Sequence, residues 1–154
     1  IKFPLQWKLK KILMKNISAG DNVIFKKDNL WWLLTSVDPI KGNKEYEKIE
    51  FNIYSSKNPI DNKWIKHSKN PIFVDSLLAR NAGMIIDKNK VLRVSQLHSF
   101  NYYGSSIQIN EIIKLDHDNY IEQNIDNFKH MKNLKFKNMH HLSKLNNITI
   151  FDFK

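Results

Sequence analysis

No cysteine occurs in the 154 residues, so disulfides and thiolate metal sites are excluded. That absence fits a reducing compartment, and a cytoplasmic location is the expectation. Glycine and proline are scarce at four each, which rules out a collagenous chain or a flexible linker. No apolar run approaches the ~18 residues that a membrane-spanning helix needs, and no secretory segment opens the chain. The first residue is Ile rather than Met, so a piece of something longer is expected. Catalytic signatures are missing too. There is no Gly-rich phosphate loop, no Gly-x-Ser-x-Gly elbow, and no His-x-His or His-Glu-x-x-His spacing. Nucleotide hydrolysis, serine-hydrolase chemistry and a zinc site lack support, and neither metal nor cofactor is expected.

Arginine is the other scarcity. Of 25 basic residues only Arg80 and Arg93 are arginines, both in the stretch 78–96. A guanidinium presents a planar fork of donors suited to carboxylates, phosphates and paired hydroxyls, which an ammonium cannot copy. Two uses stand open: a structural tie to loop carbonyls, or a lining for a polar site. The net charge of +10 invites a nucleic-acid reading. The lysines are spread along the chain, however, and the densest spots, Lys10-Lys11 and Lys26-Lys27, make no basic block. Lys, Asn and Ile are inflated together, which reads as compositional bias. Nucleic acid is therefore disfavoured as a partner.

Aromatic residues are plentiful, with nine Phe, five Tyr and four Trp, and Trp31-Trp32 and Tyr102-Tyr103 come as pairs. Recurrent apolar runs, such as 30–34 and 84–86, argue against disorder. Alternation at Phe3, Leu5, Trp7 and Leu9 predicts a first strand, and Pro4 opposes a helix there. Residues 22–25 and 30–35, joined by Lys27-Asp-Asn29, read as a hairpin. After a polar loop at 38–45, residues 48–55 alternate strictly, and a short strand is expected at 63–65. The hairpin pattern then returns at 82–86 and 91–95, with Ile24, Phe25 and Trp32 falling on Met84, Ile85 and Leu92 at an offset of 60. Further strands are expected at 105–113 and 120–122, and a partial third copy at 141–151 turns at Asn146-Asn147.

The fold class expected is all-β, built of antiparallel units repeating about every 60 residues. Such units bury both faces by radial stacking, as propeller blades do. An ordinary β-sandwich with chance similarity between hairpins is the alternative.

In order along the chain stand Asp21-Asn-Val-Ile-Phe, Leu30-Trp-Trp-Leu-Leu, Phe51-Asn-Ile-Tyr-Ser-Ser, Trp64-Ile-Lys-His67 and Asn70-Pro-Ile72. Then follow Ala79-Arg-Asn-Ala-Gly83, Leu92-Arg-Val-Ser-Gln96, Tyr103-Gly104, Glu111-Ile112 and His140-His-Leu-Ser143. This series resembles the C-terminal part of the propeller domain of plant glucosamine inositolphosphorylceramide transferases and their bacterial relatives. Some of those relatives accompany formyltransferase-like domains. The resemblance implies a five-bladed propeller similar to those of fructosidases and arabinanases. It implies that this single domain, residues 1–154, holds the last two to three blades, at about 18–75, 76–125 and 136–154. Upstream blades, or another chain, would complete it, and a dimer is the other way to cover open edges.

On that reading the innermost strands line a channel. Their starts give Asp21, Arg80 and His140 or His141 as channel entries, with Arg93 and Gln96 on the next strand reaching the same opening. Mixed donors and acceptors of this kind suit a sugar or glycan. Asp21 and His141 are the candidate catalytic groups. Arg80, Arg93, Gln96 and Tyr103 are the candidate substrate contacts. Asp21 has two other uses, capping its turn or pairing with Arg80. Glycoside hydrolysis takes two carboxyl groups about 5–9.5 Å apart, and no partner for Asp21 stands out in the sequence. Whether the chain transfers or hydrolyses a sugar, or binds one as an accessory domain, stays open.

Overall fold

The computed structural model of the protein describes residues 4–40, 49–61, 63–87, 90–99, 102–126, 139–145 and 147–152. Part of the polar loop after Asp38, the turn at Lys88-Asn89, and Asn146 fall outside them, as do the first residues of the third unit. Among the described residues there is no helix. The strands are β1 (Ala19–Lys27), β2 (Leu30–Val37), β3 (Glu50–Ser56), β4 (Ile65–Lys66), β5 (Phe73–Val74) and β6 (Asn81–Asp87). They continue as β7 (Lys90–Ser99), β8 (Tyr102–Leu115), β9 (Tyr120–Asp126), β10 (Leu142–Leu145) and β11 (Ile148–Phe151).

Local chemistry sets the first hairpin. Asp28 and Asn29 both take positive φ, 51° and 61°, the left-handed pair that a two-residue hairpin turn requires. Phe25 then pairs with Trp32 and Ile24 with Leu33. The second hairpin repeats this register 60 residues on, with Ile85 opposite Leu92. Even the irregularity recurs: a bulge falls between Gly20 and Val23 in β1 and between Asn81 and Gly83 in β6. Each hairpin is extended by an antiparallel third strand, β3 or β8.

The outer edge of β3 is shared. β4 pairs with Tyr54 and Ser55, and β5 with Glu50 and Phe51. In the gap the Asn70 side chain takes the place of a strand, accepting from Ile53 N–H at 2.9 Å and donating to Ile53 O at 2.7 Å. The result is a five-stranded first sheet. The second sheet has six strands in the order β11-β10-β6-β7-β8-β9. The C-terminal hairpin thus continues the second sheet, through a parallel pairing of β10 with β6 at Lys144 and Ile85.

The sheets meet through one apolar face each. Phe25, Trp32, Leu34, Phe51 and Ile53 of the first pack with Val91, Ile112 and Leu115 of the second. The opposite face of the second sheet is buried as well, where Ala82, Ile85, Val94, Ile107 and Ile109 cluster with Met139 and Leu142. The described residues form two layered sheets and no closed ring.

One expectation fails. Residues 6–18 make no strand despite their alternation, and Leu5, Trp7 and Leu9 are 84%, 80% and 77% exposed. A strand exists only through a hydrogen-bonded neighbour. Here the Trp7 Nε1–H turns back to Pro4 O at 2.8 Å.

Candidate functional site

The bulge in β1 puts Asp21 into the left-handed region at φ 50°. Short polar side chains tolerate that conformation better than most. It brings the carboxylate to the start of β6, where Arg80 Nε donates to Asp21 Oδ2 at 2.8 Å. Asn81 Nδ2 donates to Asp21 O at 2.9 Å, and Ser36 Oγ donates to Ala79 O at 2.9 Å, so both backbones are tied at this point. Of the uses open to Asp21, pairing with Arg80 is the one observed. The pair is partly exposed, at 17% for the Arg80 side chain and 27% for Asp21. It lines a cleft of about 240 Å³ with Gly20, Ser36, Asp38 and Ile49. Asp75 forms the turn before Arg80: its Oδ1 accepts from Leu77 N–H at 2.6 Å, and its carbonyl accepts from Ala79 N–H at 2.8 Å.

Asp38 is a second carboxylate on the cleft wall, with Oδ1 accepting from Ile40 N–H at 2.9 Å. The sequence placed it in a loop and offered no reason to single it out.

Arg93 does not open on this cleft. It is fully buried between the sheets, its Nε and Nη2 gripping the two Glu122 oxygens at 2.7 Å each. Its Nη1 donates to Leu78 O at 3.1 Å and to Asn81 Oδ1 at 3.3 Å, and the guanidinium carbon lies 4.6 Å from the Phe51 ring centre. Burial alone would pull its pKa down, but the hydrogen bonds and charge of Glu122 outweigh that and raise it. The expectation that Arg93 shares the Arg80 opening is therefore corrected, because its donors are spent on the interior.

Gln96 pairs through its backbone with Arg80, Gln96 N–H donating to Arg80 O at 2.9 Å. Its side chain is buried and lies three residues from Arg93, on the opposite face of β7. Among the described residues its Nε2 finds no acceptor. His141 sits just before β10, which flanks β6 in parallel, so the starts of β1, β6 and β10 lie in sequence around this end. It is exposed, and its Nε2 is 2.6 Å from Ser143 Oγ. Asp152 Oδ1 accepts from the backbone N–H of both His140 and His141, at 2.8 and 2.6 Å. Tyr103 is the second residue of β8, and its side chain lies outside the described residues.

The structure thus brings Asp21 and Arg80 together, adds Asn81, Ser36 and Asp38, and sends Arg93 and Gln96 elsewhere. Among the described residues no group of three or more His, Asp or Glu could hold a metal ion. No described helix is long and apolar enough to cross a membrane.

Comparison with known proteins now bears on this arrangement. Residues 1–151 match the family described as Glucosamine inositolphosphorylceramide transferase 1, N-terminal. The chain is 34% identical over 124 residues to glucosamine inositolphosphorylceramide transferase 1 of Oryza sativa subsp. japonica, covering 79% of this chain and 16% of that protein. It is 33% identical over 125 residues to the protein of the same name from Arabidopsis thaliana, with the same coverage. The chain therefore spans about a sixth of the length of these relatives. No solved structure gives a match. The ordered motifs, the all-β sheets and the match over 1–151 agree: this chain belongs to the glucosamine inositolphosphorylceramide transferase 1 N-terminal family.

Proposed function

We propose that this chain is a sugar-binding β-domain of a glycosyl-transferring or sugar-modifying protein, with its site at the Asp21–Arg80 cleft. The observation that carries the reading is the partly exposed guanidinium–carboxylate pair where β1 meets β6. A pair with solvent on one side offers donors and an acceptor at fixed geometry, which is what neighbouring sugar hydroxyls need. Arg80 takes the donor role toward an anionic or hydroxyl-rich group, and Asp21 accepts from a hydroxyl. In this reading His141 approaches from β10 and exchanges a proton, and Tyr103 is a further candidate contact. Arg93 and Gln96 serve the site indirectly, through the sheet that carries Arg80.

Two antiparallel sheets whose inner hairpins share one register also support a propeller, of which these are consecutive blades. Further blades from a longer chain or a second molecule then close the ring, and a formyltransferase-like domain is a candidate neighbour. Hydrolysis fits less well than binding or transfer. It takes two carboxyl groups free to act, whereas Asp21 is held by Arg80 and Asp38 by the Ile40 N–H.

The relatives are named for glucosamine and inositolphosphorylceramide, so glucosamine, inositol phosphate and nucleotide sugars are the first ligands to try. Saturation-transfer NMR and thermal shift, run on wild type, Arg80→Ala and Arg80→Lys, test the reading. Binding is expected in wild type, lost in Arg80→Ala, and weakened at least about tenfold in Arg80→Lys, because an ammonium cannot present the planar fork. Equal binding in all three proteins, or none in wild type, would make the pair purely structural.

A further inference from the structure

The Arg80 cleft is one end of a longer trough. Three hollows adjoin along residues 13–21, of about 240, 680 and 620 Å³. Ser18, Ala19 and Asp38 line both the first and the second, and Ile17 and Val37 line both the second and the third. Alone, the first lies below the ~300–1,000 Å³ usual for small-molecule sites, so it has room for little more than one sugar ring. The other two each fall within that range.

The chemistry at the far end follows from strand alternation. Phe51 and Ile53 of β3 point into the core, so Glu50, Asn52 and Tyr54 share the opposite face. Lys66 is opposite Tyr54 in the register, and Trp64, two residues before it, shares that side. All five line the 620 Å³ hollow. Asn52 Nδ2 donates to Glu50 Oε2 at 3.2 Å. Burial, with Glu50 nearby, raises the Tyr54 phenol above its ordinary range. Among the described residues, the Trp64 Nε1–H is buried without an acceptor. A donor left so costs free energy, so the indole environment responds to any repacking of this wall. Aromatic rings beside amide, carboxylate and ammonium groups suit a pyranose, which has an apolar C–H face and a polar rim. Along the trough Asp21, Asp38 and Glu50 balance Lys15, Lys66 and Arg80, so its lining carries no net charge to select an anionic or cationic ligand.

We propose that the trough binds a glycan chain rather than a single sugar, with one terminal unit at Asp21 and Arg80 and a distal unit against Trp64 and Tyr54. The inference rests on the reading of the Arg80 cleft as a sugar site. It adds the distal contact and the class of ligand, an uncharged oligosaccharide.

The test uses N-acetylglucosamine and its β-1,4-linked trisaccharide as probes, both neutral and with equatorial hydroxyls. On ¹⁵N-labelled wild type the indole N–H signal of Trp64, assigned through Trp64→Phe, is expected to shift with the trisaccharide and not with the monosaccharide. The trisaccharide should bind about tenfold tighter than the monosaccharide, a preference that Trp64→Ala removes. Arg80→Ala should weaken both. Monosaccharide and trisaccharide binding alike, with Trp64 silent and Arg80 still needed, would overturn the extended site and leave the first reading standing. No response to either sugar at millimolar concentration would overturn both. The wild-type indole shift decides the matter even if Trp64→Ala fails to fold.

Discussion

Arg93 is the residue on which contact between the sheets turns. Its side chain is inaccessible to solvent, and every contact described above is with protein. Glu122 in turn accepts from Tyr120 Oη at 2.5 Å, so a buried cation, a half-buried carboxylate and a half-buried phenol form one unit. Removing one member leaves the others desolvated and unpaired, which costs about 3–5 kcal/mol for a buried pair. Arg93→Met is therefore expected to lower unfolding free energy in urea by about that much, and Glu122→Leu by a comparable amount. The double variant Arg93→Met/Glu122→Leu should recover part of the loss; a fully additive cycle would mean the groups are not coupled. The sequence marked Arg93 out because arginine is rare in it, but rarity does not separate a ligand contact from an interior tie. Glu122 decided between them. It lies 29 residues away, across β8, and pairs only once the register of β7, β8 and β9 is fixed. Arg80 carried the same composition signal and turned out partly exposed, so burial alone divides the two.

At the scale of elements, the attachment of β10 to β6 depends on Gly83. Its φ is +122°, and an added Cβ would sit 2.1 Å from Leu142 O. No side chain fits there while the parallel pairing stands, and the dihedral itself carries strain of about 1–3 kcal/mol for any other residue. Gly83→Ala is expected to push the C-terminal hairpin off β6 and raise amide exchange across Leu142–Leu145, while the β1–β2 hairpin keeps its protection. Unchanged exchange in β10 would show that the close approach is relieved some other way. Most strands were legible beforehand, because strict alternation and left-handed turn residues are local signals: β3 and the two inner hairpins follow them. Pairing is not local. The same alternation at Leu5, Trp7 and Leu9 yields no strand, since none of the sheet edges takes that segment up. The third hairpin was read from its repeat, but its attachment to the second sheet depends on a glycine whose φ no pattern announces.

At the scale of the whole molecule, the apolar contact between the sheets includes Tyr120, which makes it sensitive to alkali. Phe51 stacks with Phe73 at 5.0 Å and meets Tyr120 at 5.6 Å between ring centres, so the phenol stands in the seam. The periodicity of 60 residues foretold two similar sheets; that they would press these rings together over the Arg93–Glu122 pair required the register of both. Burial, with Glu122 beside it, holds the Tyr120 pKa well above the ordinary value of 10.0, against the opposing pull of Arg93. In the unfolded chain the phenol ionises near ~10. The folded protein therefore keeps a proton that the unfolded chain has already lost, and stability falls with pH wherever the unfolded state binds fewer protons. This contribution is complete below about pH 10 and is lost as pH rises through the raised folded value. Tyr54 shifts in the same direction through burial and Glu50, and adds to the effect. Wild type is thus expected to lose urea stability steeply above about pH 10, with phenolate absorbance appearing together with unfolding rather than before it. Tyr120→Phe gives up the hydrogen bond to Glu122, so it should be less stable at neutral pH yet flatter in the alkaline range. Phenolate formation in the folded protein at the ordinary tyrosine pKa, with the sheets intact, would sink the argument, because Tyr120 would then ionise without opening the seam.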